Sequence, residues 1–163
     1  MKAAFLDRDG VLNLKSSDHY YITSLDQFRI APGALEGIAA LTRAGYVVLV
    51  ATNQRAVAKG LLDPAELDRM HAHLQAEARR AGGSIEHFYV CPHDKDVCDC
   101  RKPKPGLFRQ AWQDRPDLDR NGSFFSGDSE SDRAAAAAAG IRFVPIETNG
   151  NLHEALRAAG IVP

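Results

Sequence analysis

The chain has 163 residues, 45% of them hydrophobic and 25% charged, with a formal net charge of -1. That length suits one well-buried core and is short for two, so a single domain spanning residues 1–163 is expected. A near-neutral chain has no broad basic field to draw it to nucleic acid or an anionic bilayer; neither is expected as a partner, and any anion recognition has to be local.

The N-terminus, MKAAFLDRDG, sets only a few apolar residues before its first charges. Neither a signal peptide nor a membrane span fits that pattern, which predicts a cytoplasmic protein. From there apolar runs alternate with amphipathic ones. AAFL at 3–6 reads as a strand, and ALEGIAALTRAG at 34–45 as a helix with Leu35, Ile38, Ala39 and Leu41 or Thr42 on one face and a stop at Gly45. VVLVA at 47–51 is apolar enough to be covered on both sides, and the segment at 63–82 opens on Asp-Pro and closes on Gly, ordinary helix punctuation. IEHFYV at 85–90, SFFS at 123–126 and IRFVPI at 141–146 read as further strands, with the alanine run 134–139 as a helix packed closely on the sheet. Such alternation predicts an α/β three-layer sandwich with a mainly parallel, Rossmann-like sheet, whose ligands gather beyond the carboxyl ends of the strands. The polar residues fall at that rim: Asp7-Arg8-Asp9-Gly10 after the first strand, Thr52 to Arg55 after the second, a cysteine cluster and Arg101-Lys102 after the third, Gly127-Asp128-Ser129 after the fourth. No linker, repeat or charge block marks a second domain, and a short chain without an inserted cap domain suggests a monomer with an open site.

Asp7 and Asp9 alone read as a solvated Asp-x-Asp-Gly turn. A calcium loop starting at Asp7 would need Asp or Asn at its fifth position and Glu at its twelfth, where this chain has Val11 and Asp18. Taken with Thr52, Lys102 and Asp128 after later strands, the pair resembles the haloacid dehalogenase superfamily of phosphatases over nearly the whole chain. That resemblance implies Mg²⁺ held by the Asp7 carboxylate, the Asp9 main-chain carbonyl and the Asp128 carboxylate, since Mg²⁺ takes hard oxygen ligands. Asp7 would attack phosphorus and form an aspartyl-phosphate, Asp9 would act as acid and then base, and Thr52 and Lys102 would hold the equatorial oxygens. An acid at position 9 favours a phosphatase over a dehalogenase, because a halide needs no proton to leave. Asp132 suits either a capping box with Ser129 or a contact that orients Lys102, and both stay open.

All three cysteines lie in CPHDKDVCDCRKPKPG, where Cys91, His93, Cys98 and Cys100 give a Cys₃His set in C-x-H-x₄-C-x-C spacing. Four such ligands fit a closed tetrahedral Zn²⁺ site with a structural purpose, and the loop leads straight into Arg101 and Lys102. The combination of DRDG, TNQ and this loop resembles the D-glycero-D-manno-heptose 1,7-bisphosphate 7-phosphatase family, with the histidinol-phosphatases as nearest relatives. The resemblance implies a small phosphorylated substrate, covered by Asp18, His19, Tyr20 and Tyr21 on one side, lined by Asn53, Gln54 and Arg55 on the other, and met at its far end by Arg101. Histidinol phosphate is the alternative substrate, and a non-catalytic sugar-phosphate binding module the alternative class; retention of Asp7, Asp9, Lys102 and Asp128 argues against the latter. Three departures from the family pattern bear on sugar preference: Arg55 where a small residue is usual, Ser129 where a lysine commonly follows the aspartate, and the extra residues LKSS at 14–17. His71 shares an apolar helix face with Leu67, Met70 and Leu74 and reads as a packed imidazole; His73, His87 and His153 receive no role, and Trp112 reads as packing.

Overall fold

The computed structural model describes residues 1–163. Strands β1 (Lys2–Leu6), β2 (Tyr46–Asn53), β3 (His87–Cys91), β4 (Asp119–Gly127) and β5 (Arg142–Pro145) form one parallel sheet in the order β3-β2-β1-β4-β5. The strand alternation divides the core into two layers. Ala4, Leu6, Val48, Val50 and Phe124 face one way with Ile38 and Leu41 of α1 (Ala34–Arg43) and Leu67, Met70 and Leu74 of α2 (Pro64–Arg80). Ala3, Phe5, Val47, Leu49 and Phe125 face the other, against Leu107, Phe108 and Trp112 of α3 (Gly106–Asp114) and Ala135 and Ala136 of α4 (Glu130–Ala139). A period of two on strands buried on both faces produces this division.

The predicted fold class is therefore observed, with two helices beyond the predicted ones. In α3, Trp112 and Phe108 set their rings edge-on to Phe5 at 5.2 and 4.9 Å, so the tryptophan is packing. Helix α5 (Leu152–Ala158) lies on the α1 side, where Gly37 admits it: a Cβ there would stand 2.9 Å from the Leu152 side chain. The alanine helix starts four residues earlier than the run itself, at Glu130.

Because β2 and β3 extend the sheet to one side of β1 and β4 and β5 to the other, β1 and β4 straddle the point where the strand order reverses. A crevice opens at the carboxyl ends there, which is where open parallel sheets bind ligands. Residues 7–33 between β1 and α1 contain only a single 3₁₀ turn, Leu25–Gln27, and no inserted cap. No helix is long and apolar enough to cross a membrane.

Candidate active site

The site is built first from the turn after β1. Asp7 continues the ladder by donating its amide to Ser126 O at 3.0 Å, and the amides of Val11, Leu12 and Asn13 then close on the single carbonyl of Arg8 at 2.8–3.1 Å. Gly10 takes φ +85°, and a Cβ there would meet Asp128 Oδ2 at 2.4 Å, so the turn requires glycine for conformation and for space. Its result is to bring Asp7 beside Asp128, which follows β4, and Asp132 from α4. The donor oxygens of these three carboxylates lie within 4.8 Å of one another.

Lys102 answers that negative charge. Its Nζ donates to Asp7 Oδ1 at 2.9 Å, Asp132 Oδ1 at 2.7 Å and Ala51 O at 3.0 Å, spending all three ammonium protons on the protein. Its backbone is held by a two-bond amide clamp: Lys102 N donates to Asn53 Oδ1 at 3.0 Å and Asn53 Nδ2 donates to Lys102 O at 3.1 Å. Burial pushes the Asp7 carboxyl well above its ordinary range; Lys102 opposes this while Asp132 and Asp128 add to it. For Asp132, burial is outweighed by Lys102, and the carboxyl sits below its ordinary range. Burial likewise works against the Lys102 charge, but the two aspartates prevail and its pKa is raised. Asp132 fills both of the roles left open by the sequence. It forms the capping box of α4 with Ser129, and the same carboxylate receives Lys102.

A Mg²⁺ ion fits this cluster on two grounds. Asp128 Oδ2 accepts from Lys15 and Thr148, both at 2.8 Å, whereas its Oδ1 is buried without any partner. A buried carboxylate oxygen left bare beside the raised Asp7 carboxyl suits a cation, which would satisfy both. Asp9 stands apart from this carboxylate cluster: Oδ1 accepts from Arg8 at 2.7 Å and Asn13 at 2.9 Å, and Oδ2 accepts from Gln54 at 2.9 Å. Burial alone would raise Asp9, but Arg8, Asn13 and Gln54 together hold it below its ordinary range. Asp9 thus rests as a base, and the approach of an anionic phosphoryl group is what favours its taking up a proton.

Arg8 was not among the predicted site residues. It is fully buried, donating through Nε to Asn13 Oδ1 at 3.0 Å, with its Cζ 5.4 Å from the centre of the Phe28 ring and Nη1 3.3 Å from His71 Nε2. His71 stacks on Phe88 at 4.2 Å with the rings 9° apart, a packed imidazole as its helix face predicted. The sequence signal for Arg8 was its place between two aspartates in a short turn bounded by the apolar residues AAFL and VL, where a charge has to be paired.

Above the carboxylates lies a cavity of about 390 Å³ with only three hydrophobic residues among its sixteen lining residues, a wall suited to a polar ligand. Asp7, Asp9 and Lys102 line it, as do His19, Tyr20, Tyr21, Asn53, Gln54, Arg55 and Arg101. Asp18 is exposed and does not line the cavity, its amide turned to Ser16 Oγ at 3.0 Å in a local turn. Thr52 lies beneath the floor, buried, with its Oγ1 accepting from Gln54 at 2.9 Å. Arg55 does not stand as a free cation. Its Nε donates to Asp94, which belongs to the cysteine loop. The Arg101 Nη1 is buried without a partner at the same rim. Lys15 also lines the cavity, so the positive charge that Ser129 lacks returns to Asp128 through space.

The Cys91, His93, Cys98 and Cys100 donor atoms lie within 4.8 Å of one another. Cys91 Sγ is 3.6 Å from both His93 Nδ1 and Cys98 Sγ, and His93 Nδ1 is 3.2 Å from Cys100 Sγ. Those separations are far too long for disulfides and close to the edges of a tetrahedron with Zn–S of about 2.3 Å and Zn–N of about 2.0 Å, so the set could hold zinc. Burial raises the Cys98 thiol, but the Arg101 and Cys100 amides and the neighbouring thiols outweigh it and bring its pKa down to about 6.

A parallel sheet carrying Asp-x-Asp after β1, Thr at the end of β2, Lys before α3 and Asp after β4 defines a phosphatase of the haloacid dehalogenase class. A family model described as polynucleotide kinase 3 phosphatase matches residues 2–148. Among curated relatives, the D-glycero-beta-D-manno-heptose-1,7-bisphosphate 7-phosphatase of Pseudomonas putida is 44% identical over 149 residues, covering 91% of this chain and 83% of the relative. That of Bordetella bronchiseptica is 40% identical over 162 residues, covering 99% and 88%. The crystal structure of D,D-heptose 1,7-bisphosphate phosphatase from B. bronchiseptica, complexed with magnesium and phosphate, superposes with a TM-score of 0.84 at 40% identity, covering 100% of this chain and 89% of that one. The chain belongs to the D-glycero-beta-D-manno-heptose-1,7-bisphosphate 7-phosphatase family.

Proposed function

We propose that this protein removes the C7 phosphate of a D-glycero-D-manno-heptose 1,7-bisphosphate. The observation that carries the reading is the bare Asp128 Oδ1 beside Asp7 and Lys102, at the floor of a polar cavity whose rim holds Arg101 and Arg55. Asp7, Asp128 and the Asp9 main-chain carbonyl would hold Mg²⁺, which would supply charge neutralisation for the phosphoryl group. Both Lys102 and the Arg8 amide address Asp7 Oδ1, so Oδ2 attacks phosphorus as the P–O bond to the sugar breaks. Asp9 hands the departing alkoxide its proton and later takes one from the water that hydrolyses the aspartyl-phosphate. Thr52 and Lys102 stabilise the equatorial oxygens, with Lys102 trading contacts to Asp7 and Asp132 for contacts to the phosphoryl group. The distal phosphate meets Arg101 through its unpartnered Nη1, and His19, Tyr20, Tyr21, Asn53, Gln54 and Arg55 enclose the sugar. The unpartnered Arg101 favours a second anion over the cationic amine of histidinol phosphate, whereas the charge of Arg55 is already answered by Asp94. Cys91, His93, Cys98 and Cys100 would hold Zn²⁺, which would order the approach to Arg101. The protein acts as a cytoplasmic monomer of one domain.

The test is kcat/KM for heptose 1,7-bisphosphate in each anomer against histidinol phosphate, fructose 1,6-bisphosphate and a 3′-phosphorylated oligonucleotide. Heptose bisphosphate is expected to lead, and Arg101→Ala is expected to erase its advantage over monophosphates; preference for histidinol phosphate would overturn the substrate. Asp7→Asn is expected to lower turnover by about four orders of magnitude or more with the fold intact, because it keeps the shape and removes the attacking charge.

A further inference from the structure

Resting on the phosphatase reading, we propose that Lys15 is a phosphate-binding residue, the ammonium that turns the metal-loaded floor of the site positive. Its placement is built by the fold. Lys15 N donates to Asn149 Oδ1 at 2.8 Å and Asn149 Nδ2 donates to Lys15 O at 2.9 Å. This is the same two-bond amide clamp that Asn53 puts on Lys102, so each of the two lysines at the carboxylate cluster has its backbone fixed by an asparagine. Asn149 holds the clamp from a left-handed conformation, φ 59°, and its own amide donates to Gly10 O at 2.8 Å, which keys it into the turn carrying Asp7 and Asp9. Asparagine is among the few residues that adopt that conformation at modest cost.

The two ammonium groups differ in what they have left to give. Lys102 has spent its three protons on Asp7, Asp132 and Ala51, whereas Lys15 spends one on Asp128 Oδ2 and keeps two. Its side chain is 46% exposed and lines the cavity. Charge decides what those protons are for. Asp7, Asp9, Asp128 and Asp132 face Arg8, Lys102 and Lys15, a floor one negative charge in excess. A divalent ion makes that floor net positive for an incoming phosphate dianion, and without Lys15 it would be merely neutral. Removing Lys15 should therefore weaken the anion and spare the metal.

The experiment uses the full chain and inorganic phosphate as probe, by calorimetry at saturating Mg²⁺, with Mg²⁺ titrated separately in the absence of phosphate. Lys15→Met is expected to weaken phosphate binding about tenfold, equivalent to about 1.4 kcal/mol, to raise KM more than it lowers kcat, and to leave Mg²⁺ binding as tight or tighter. Asn149→Ala, which frees the Lys15 backbone and keeps its charge, is expected to show a two- to threefold loss in the same direction. Phosphate affinity unchanged in Lys15→Met, or a loss confined to Mg²⁺ that disappears at metal saturation, would overturn the proposal and leave Lys15 as a brace for Asp128. Failure of the unaltered protein to bind phosphate with Mg²⁺ would bring down the phosphatase reading itself, and this inference with it.

Discussion

Arg8 makes the most of its position among the residues of the site. It sits between the two catalytic aspartates, and because its guanidinium reaches Asp9, Asn13 and His71 in three directions it fixes the carboxylate that must move a proton. A buried charge so placed needs an acceptor behind it, and His71 serves only while neutral. Burial, then the Arg8 charge, lowers the His71 pKa from 6.5 to about 3. The sign follows from linkage: the unfolded chain takes up the proton near pH 6.5, the folded one only near pH 3, so stability from this group is full above 6.5 and lost as pH falls between those values. The slope is roughly 1.4 kcal/mol per pH unit for one proton. His71→Gln keeps an acceptor for Arg8 and does not titrate. Urea unfolding at pH 6.5 and pH 5 is expected to show the unaltered protein losing about 2 kcal/mol more than the variant.

Single elements do double duty at the next scale. Ser129 caps α4 by accepting from the Asp132 amide at 3.2 Å, while the Asp132 carboxylate bonds back to the amides of Asp128 and Ser129 and forward to Lys102. Ser129→Ala is expected to cost about 1 kcal/mol of stability, the usual worth of an N-cap. It should also lower kcat several-fold with little change in KM, because Asp132 loses the anchor that aims Lys102; thermal melting and steady-state kinetics check both. The cysteine loop works in a comparable way. It holds Arg55 through Asp94, and Cys98 receives the Arg101 amide, so one loop fixes two residues of the cavity rim. Removing the proposed zinc with a chelator is expected to raise hydrogen exchange at residues 91–102 and to raise KM for a bisphosphate more than for a monophosphate, since the rim is what loosens.

Across the whole molecule, the sheet order brings together carboxylates that repel one another. Asp7 follows β1 while Asp128 and Asp132 flank the junction of β4 and α4, and the two core layers on either side of the sheet hold them there. The folded state therefore carries a strain that a divalent cation relieves, and metal binding becomes stability. Mg²⁺ at about a hundred times its dissociation constant is expected to add about 2.7 kcal/mol, a rise in Tm of roughly 5–10 °C for a chain of this size. Asp128→Asn should abolish most of that rise. Differential scanning calorimetry with and without Mg²⁺ measures it.

What the sequence determined by itself was whatever is encoded locally or by period. The five strands, the layer each side chain enters, the cysteine loop and the rim positions of Asp7, Asp9, Thr52, Lys102 and Asp128 all follow from alternation and from the rule that parallel strands present their carboxyl ends to ligands. The short α5 and the half-polar α3 lacked strong punctuation and emerged only with the fold. Pairings between distant segments were decided by tertiary structure alone. Nothing near Lys15 announces Asn149 or Asp128, more than a hundred residues away, nor does Arg55 announce Asp94. Those contacts exist because β1, β4 and β5 end side by side, as do β2 and β3, bringing the loops beyond them within hydrogen-bond reach, and a spacing along one segment cannot express a distance between two.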